Sequence, residues 1–515
     1  MKKRIIWLSL ALAMGQASHA FAQDATDALR YSQLQFGGPA RTQGIAGANV
    51  ALGADFGNLS SNPAGLGFYQ KSEIHASLGL GFGQTDGSLN AGKLNEQSNN
   101  VNVPSLGLVL ATRRADSDQS SSWRGGAFAL GFTRLADFNR TSNYQGTVDD
   151  GQSFFQRLRN PRASLASIRS QDNNNYNHND PYLNLDGLAY GGYLTNIGKV
   201  GADSAIVTIA RTGPIGQGER VVSTGSMSQF DLGYGGSFRD RLYVGVGVGI
   251  VSSNYREARD FYETESNPAT PFASLQLHDE LRTTGTGING RLGLIYRATN
   301  AVRLGGSIQT PTYLRMTDTY STTLTTNFTP QNQPAGTNVG TVTNTTAPGA
   351  YDYIITTPFR ANGGLSVVLG KYGFISGDVE YVGYGQARLS SDPNSANGDN
   401  SSFADQNQDI QRLYRSTLNY RVGAEGRFSV FRARLGYAYY GDPYQDPSNG
   451  RSSARSYYTA GLGLRQGNFF VDVAEVYNSY DSYYSPYYFK KGQEPPVVAL
   501  TNSKFTTGVT AGLTF

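Results

Sequence analysis

Apolar and polar residues alternate with a period of two over much of the chain from Glu73 to its last residue. In Val244-Gly245-Val246-Gly247-Val248-Gly249-Ile250 the branched side chains share one face and glycine takes the other, as in a strand between two different surroundings. Ile288-Asn289-Gly290-Arg291-Leu292-Gly293-Leu294 sets Asn289 and Arg291 opposite its apolar residues, and Leu418-Asn419-Tyr420-Arg421-Val422 and Phe431-Arg432-Ala433-Arg434-Leu435 do the same. Strands are predicted near 73–83, 103–113, 124–138, 219–237, 241–257, 273–297, 301–327, 351–369, 373–389, 412–428, 430–441, 455–466, 469–484 and 499–515, fourteen in all. Tight connections (Arg239-Asp240, Ala298-Thr299-Asn300, Gly370-Lys371, Ser429, Gly467-Asn468) alternate with long ones rich in Asn, Ser, Pro and Asp. Short turns at one end, long loops at the other and an even strand number describe an all-β fold, a 14-stranded antiparallel transmembrane barrel. A Lys or Arg at the lipid midplane costs about 2–4 kcal/mol. The strand arginines therefore belong in the lumen, with Asp378 and Glu380 at inward parity as countercharge. Phe469–Tyr477 breaks the pattern, because Asp472 and Glu475 fall on opposite faces. A bulge, or a strand lying mostly above the bilayer, would repair it.

Two stretches stand apart from the strands. Asn139 to about Gly216 is a long polar insert, with Asn-rich residues 171–175, an amphipathic helix predicted over 154–168 and interrupted at Pro161, and the aromatic run Leu188–Leu194. The other is Gly44–Phe68, GIAGANVALGADFGNLSSNPAGLGF, in which six of 25 residues are Gly. It fits neither a long helix nor a membrane strand. Glycine allows tight turns in little space, and Pro63 pushes Asn62 out of the helical region. A compact non-strand segment ahead of a set of strands reads as a plug.

Within that segment, Gly57-Asn58-Leu59-Ser60-Ser61-Asn62-Pro63-Ala64 resembles the hatch signature of the FadL/TodX family of outer-membrane transporters for long-chain fatty acids and other hydrophobic compounds. The resemblance continues through Gly285-Thr286-Gly287-Ile288-Asn289 to Phe515. It implies an N-terminal hatch in the lumen carrying the motif Asn62, Pro63, Ala64. It also implies a kink in the third strand that opens the wall sideways, for which Gly131 is the candidate, an inward spacer being the alternative. The mature N-terminus, Gln23 to Ser32, is expected to reach into the ligand pocket, and the terminal Phe515 to be read by the barrel assembly machinery. The implied function is plug-gated uptake of a fatty acid-like hydrophobic ligand with lateral release into outer-membrane lipid, in the outer membrane of a Gram-negative cell, as a monomer. A structural or adhesive surface barrel and a general porin remain alternatives.

The N-terminus agrees with this location. Lys2, Lys3 and Arg4, the apolar run Ile5–Gly15 and Ala20-Phe21-Ala22 form a secretory signal peptide over residues 1–22. The extension and hatch then occupy 23–70 and the barrel 71–515. Cleavage lowers the formal charge from +4 to +1, so charge gives no reason to expect nucleic acid. Cysteine is absent, which excludes disulfides and thiolate metal sites. The 63 Gly, 33 Tyr and 25 Phe with only 38% hydrophobic residues suit a barrel in which every second strand residue meets lipid. The Tyr439-Tyr440 and Tyr483–Phe489 clusters are assigned mostly to an interfacial aromatic girdle. The mature chain has only His75, His178 and His278, none in a catalytic or metal-binding spacing. No enzyme activity, cofactor or metal is expected.

Overall fold

The computed structural model describes residues 25–515 except 116, 119, 176–180, 202, 210, 212, 268–269, 330–339, 396–402, 447–450, 490–493 and the side chains of 172–175 and 200. The signal peptide and His178 lie outside the described residues. The wall consists of β1 (Glu73–Leu89), β2 (Gly92–Asn102 and Ser105–Arg113), β3 (Trp123–Asp137 and Arg140–Val148), β4 (Ile215–Phe238), β5 (Leu242–Glu265), β6 (Phe272–Arg297) and β7 (Val302–Gln309 and Tyr313–Phe328). It continues with β8 (Gly349–Thr356 and Arg360–Val368), β9 (Gly373–Gly383 and Arg388–Ser391), β10 (Ser416–Phe428), β11 (Phe431–Tyr440), β12 (Arg455–Gln466), β13 (Phe469–Tyr484) and β14 (Val498–Thr514). Neighbours pair antiparallel, and β14 pairs with β1 from Glu73↔Thr514 to Ser88↔Ala499, which closes the cylinder. Fourteen strands form the wall, as expected.

Two boundaries differ from expectation. Residues 84–102 are not a connection: they complete β1, turn at Asn90-Ala91 and form the upper part of β2. Their polar composition hid them. The insert also begins later than Asn139, because β3 runs on to Val148. The predicted tight turns are present, with positive φ at Arg239 (53°), Asp240 (51°), Ser429 (54°) and the glycines Gly370 and Gly467. These turns lie at one end of the barrel, the turn end, and most of the long loops at the other, the loop end.

The two faces of the wall follow the period of two. Val244, Val246, Val248 and Ile250 point outward and are exposed, as do Ile288, Leu292 and Leu294, while Asn289 and Arg291 are buried. Most inward charges are paired: Arg434 bonds Glu425 at 2.8 Å and Asp472 at 2.7 Å, and Glu380 takes Arg421 at 2.6 Å and Arg360 at 3.1 Å. A buried guanidinium held on two sides by carboxylates recovers much of its desolvation cost.

In β13 the expected repair is absent. Pairing with β12 and β14 runs without a register shift. Asp472 is buried, and Glu475 stands on the outer face, accepting hydrogen bonds from Thr507 Oγ1 at 3.0 and 2.9 Å. It lies one outward position below a row of aromatic side chains, Tyr437, Tyr458, Tyr477 and Phe505, whose adjacent centroids are 5.2–6.5 Å apart. This row and the exposed Tyr439 form a girdle. Tyr440, Tyr487 and Phe489 belong elsewhere, since all three are buried.

Most connecting structure covers the loop end. The leading segment holds α1 (Ala25–Arg30), α2 (Ala40–Gly44), α3 (Asn58–Ser61) and a 3₁₀ turn, Pro63–Phe68. The insert holds α4 (Phe154–Leu158), α5 (Leu165–Asn175), α6 (Leu185–Gly191) and a hairpin, Thr195–Val200 with Asp203–Thr208. The predicted single helix is thus two, parted at Pro161, which cannot continue a helical ladder. A further helix, α7 (Ala404–Leu413), follows β9. No helix among the described residues is long and apolar enough to cross a membrane.

Candidate functional site

The leading segment runs inside the cylinder. Ala40 N donates to Thr510 on β14 at 2.8 Å, Thr459 on β12 to the Gly44 carbonyl at 3.0 Å, and Val50 N to Asp378 on β9 at 3.0 Å. Ser366 on β8 donates to the Ala51 carbonyl at 3.0 Å, and Ser307 on β7 to the Ser61 carbonyl at 2.7 Å. Polar wall residues thus supply the hydrogen bonds that a segment of short helical turns leaves unmet once buried.

The Asn-Pro-Ala motif is the tightest part of this packing. Asn62, Pro63 and Ala64 are all buried. Asn62 is extended (φ −148°, ψ 96°), as the following proline requires. Its Nδ2 donates to the Val50 carbonyl at 2.7 Å and to the Leu294 carbonyl of β6 at 3.2 Å, while its Oδ1 caps the 3₁₀ turn at Ala64 N, 3.2 Å away. One carboxamide therefore joins two parts of the segment to the wall. The wall is stripped of side chains where it faces the motif. A Cβ on Gly245 would lie 2.2 Å from the Pro63 carbonyl carbon, and one on Gly293 would lie 1.9 Å from Asn62 Oδ1. The Val-Gly alternation of β5 thus has a second meaning that periodicity alone does not carry: its glycines are the seat of the plug.

Gly131 faces the plug as well. It pairs regularly with Gly107 on β2 and Asp231 on β4, and a Cβ there would lie 2.7 Å from Phe56. The irregularity of β3 lies farther on. The register shifts between Arg134 and Ala136, and the strand is interrupted at Phe138-Asn139, opposite Gly225 with φ 117°. Beyond this point β3 pairs with β4 only, from Arg140↔Ser223 to Val148↔Ile215. The upper part of β2, Gly92–Asn102, pairs with β1 only. Pro104, which has no N–H to give a ladder, stands where β2 breaks. Between the two upper parts no ladder exists among the described residues. β3 steps inward behind the β1–β2 hairpin, close enough that a Cβ on Gly92 would meet the Gln145 carbonyl at 1.8 Å. This overlap is held by side chains: Asn143 to Glu96 at 3.2 Å, Asn90 to the Thr147 carbonyl at 2.7 Å, and Asn100 and Lys504 to Asp137 at 3.1 and 2.6 Å.

Above the plug and beside this seam is an apolar chamber. Leu135, Val251, Leu314, Tyr353, Phe403 and Ile410 contribute to it, and the start of the described chain fills it. Ala28, Leu29 and Tyr31 are buried among these side chains, Arg360 holds the Ser32 carbonyl, and Arg455 holds the Gln33 side chain. Two clefts bordered by Leu34 hold only about 10 Å³ each. Each falls short of the roughly 300–1,000 Å³ of an ordinary ligand pocket. The loop end is roofed by a second apolar cluster, in which Phe154, Phe155 and Leu188 of the insert meet Phe261, Phe272, Tyr487 and Phe489. Glu263 fastens this roof, accepting Phe154 N at 2.7 Å and Gln217 Nε2 at 2.9 Å. Phe515 is exposed at the turn end, its backbone paired with Ser72 at 2.9 Å in both directions. His75 and His278 lie far apart in sequence, and the described residues hold no group of three or more His, Cys, Asp or Glu placed to bind a metal.

Solved structures resemble this architecture. A FadL homologue of Pseudomonas aeruginosa superposes with a TM-score of 0.54 at 12% identity, over 93% of this chain and 98% of that one. The fold is that of FadL and TodX. The toluene transporter TodX of P. putida superposes at 0.51 with 11% identity, over 93% and 99% of the two chains. No sequence-family model and no curated protein matches the chain. In this FadL-type barrel, reading the sequence missed the inward glycines opposing Asn62-Pro63, the break at Phe138-Asn139 and the roof contact of Glu263. The glycines were legible as a pattern, but their partner was not.

Proposed function

We propose that the protein takes up hydrophobic compounds, fatty acid-like molecules among them, across the outer membrane of a Gram-negative cell, with the turn end in the periplasm. The observation that carries this reading is a bore filled by its own leading segment beside an apolar chamber and an unladdered seam. A filled bore serves a porin badly. It suits a solute that avoids water: each CH₂ kept out of water is worth about 0.8 kcal/mol, so a ten-carbon tail resists an aqueous pore by about 8 kcal/mol. The cargo enters through the roof, displaces Tyr31 and Leu34 from the chamber, and leaves sideways where β3 overlaps the β1–β2 hairpin. The segment carrying Asn62, Pro63 and Ala64 acts as the hatch that keeps the route closed to water. The barrel works as a monomer, since gate, chamber and seam all lie within one chain.

The test is uptake of a labelled long-chain fatty acid by cells producing the protein. Bridging the seam by a disulfide between Glu96→Cys and Asn143→Cys, in a chain with no other cysteine, is expected to stop uptake until the bond is reduced. Uptake that continues through the oxidised variant rejects the lateral route. A labelled fatty acid that neither binds nor enters rejects the transporter reading.

A further inference from the structure

Inward arginines of this barrel are nearly all answered by acids: Arg421 and Arg360 by Glu380, Arg434 and Arg465 by Asp472, Arg113 and Arg124 by Asp240. Arg455 at the loop end is answered by the Gln33 side chain instead, and the turn-end mouth holds two more exceptions. Arg297 ends β6 and Arg303 is the second residue of β7, both at inward parity, so they face the bore beneath the plug and not the lipid head groups. Neither has a carboxylate partner among the described residues, and the Nε of each is buried without a hydrogen bond. Arg303 stands directly opposite Arg297 across β6 and β7. Arg427 shares Glu425 (2.8 Å) with Arg434 and with Arg41 of the plug. Arg297 and Arg303 thus stand side by side without a carboxylate of their own among the described residues, and Arg427 at the same end shares the one it has.

What lies above them is apolar. Arg303 sits 4.4 Å over the Phe68 ring and donates to the Leu52 carbonyl. Leu52 packs with Phe374 and Val368, and the Arg427 guanidinium is 5.9 Å from the Phe374 ring. The guanidinium fork matches the oxygens of a carboxylate or phosphate. We infer that the turn-end mouth is an oxyanion-binding vestibule, in which Arg297, Arg303 and Arg427 receive a carboxylate or phosphate group in competition with the Leu52 carbonyl that Arg303 holds. Occupancy frees one fastening of the plug from below, so the site couples an anion at the turn end to the closure of the bore. This assignment rests on the proposed function only in naming the periplasm as the side from which the anion comes.

Calorimetric titration of the purified mature protein in detergent tests it, using octanoate, octanol and inorganic phosphate at constant ionic strength. Octanoate is expected to bind more tightly than octanol. Arg297→Gln with Arg303→Gln is expected to weaken octanoate by about tenfold or more, the loss of charged hydrogen bonds, and to leave octanol unchanged. Inorganic phosphate lost in the same variant identifies a free anion as sufficient; octanoate alone lost identifies the head of an amphiphile. Should the double variant not fold, Arg297→Gln alone serves, because among the described residues that side chain bonds only Asn300 of its own turn, at 3.0 Å. Octanoate and phosphate binding unchanged by the substitutions, or octanol binding as tightly as octanoate, overturns the inference. Uptake of an uncharged hydrocarbon by the same variant reports on the transport reading separately.

Discussion

Asn62 closes three hydrogen bonds with one side chain, to Val50, Leu294 and Ala64. Asn62→Ala leaves the buried Val50 carbonyl without its donor, at a local cost of about 1–3 kcal/mol. The expected result is a leakier barrel, seen as raised conductance in planar bilayers while the folded protein keeps its heat-modifiable mobility. Glu475 is the complementary case on the outer face. Thr507→Val removes the hydroxyl that its carboxylate accepts and is expected to lower stability by about 1–3 kcal/mol in urea unfolding from lipid vesicles. Glu475→Gln keeps an acceptor and is expected to be neutral or stabilising. Period-two reading placed Arg434 inside correctly, because lipid repels charge on the other face, and it set Asp472 and Glu475 on opposite faces, where they stand. The repair expected for Glu475 was not needed, because a single hydroxyl on the next strand satisfies the carboxylate where it is, and cross-strand neighbours 32 residues apart leave no mark on local periodicity.

At the scale of elements, the overlap of β3 behind the β1–β2 hairpin was the least legible feature. Gly92–Asn102 reads as loop because both its faces are polar, and the break at Phe138-Asn139 contains no glycine; the residue that accommodates it, Gly225, lies on β4. Strands that meet lipid on one side were readable because a strong force acts on every second residue. The roof depends on one polar fastening of the same hidden kind. Glu263→Ala is expected to release α4 and quicken proteolysis within the insert, measured by limited digestion of the folded protein. At the other end, the Arg239-Asp240 turn anchors the connection between β2 and β3. Although burial pushes the Asp240 carboxyl up, hydrogen bonds from Arg113 and Ser237 and the charges of Arg113 and Arg124 outweigh it, and the net shift is downward. A lowered carboxyl adds stability that is present above its ordinary value and lost as pH falls below about 4. Asp240→Asn is expected to flatten that acid limb in denaturant midpoints measured from pH 6 to 3.

For the whole molecule, the proposed function makes the fill of the chamber the limit on what enters. Deleting residues 23–34 from the mature chain is expected to enlarge the space bordered by Leu34 and to raise the affinity for bulky hydrophobic ligands, read by fluorescent-ligand titration. Removing Phe515 is expected to slow barrel assembly without altering the ligand affinity of the protein that does fold. One contact described above also imposes an order of events. Ala40 hangs from Thr510, on the strand that makes the final join with β1. Threading the first residues of the mature protein into a finished cylinder would require them to find glycine seats on β5 and β6 beneath a roof already in place. Laying the stopper in the unfinished vessel, and drawing the last seam shut around it, is the expected order.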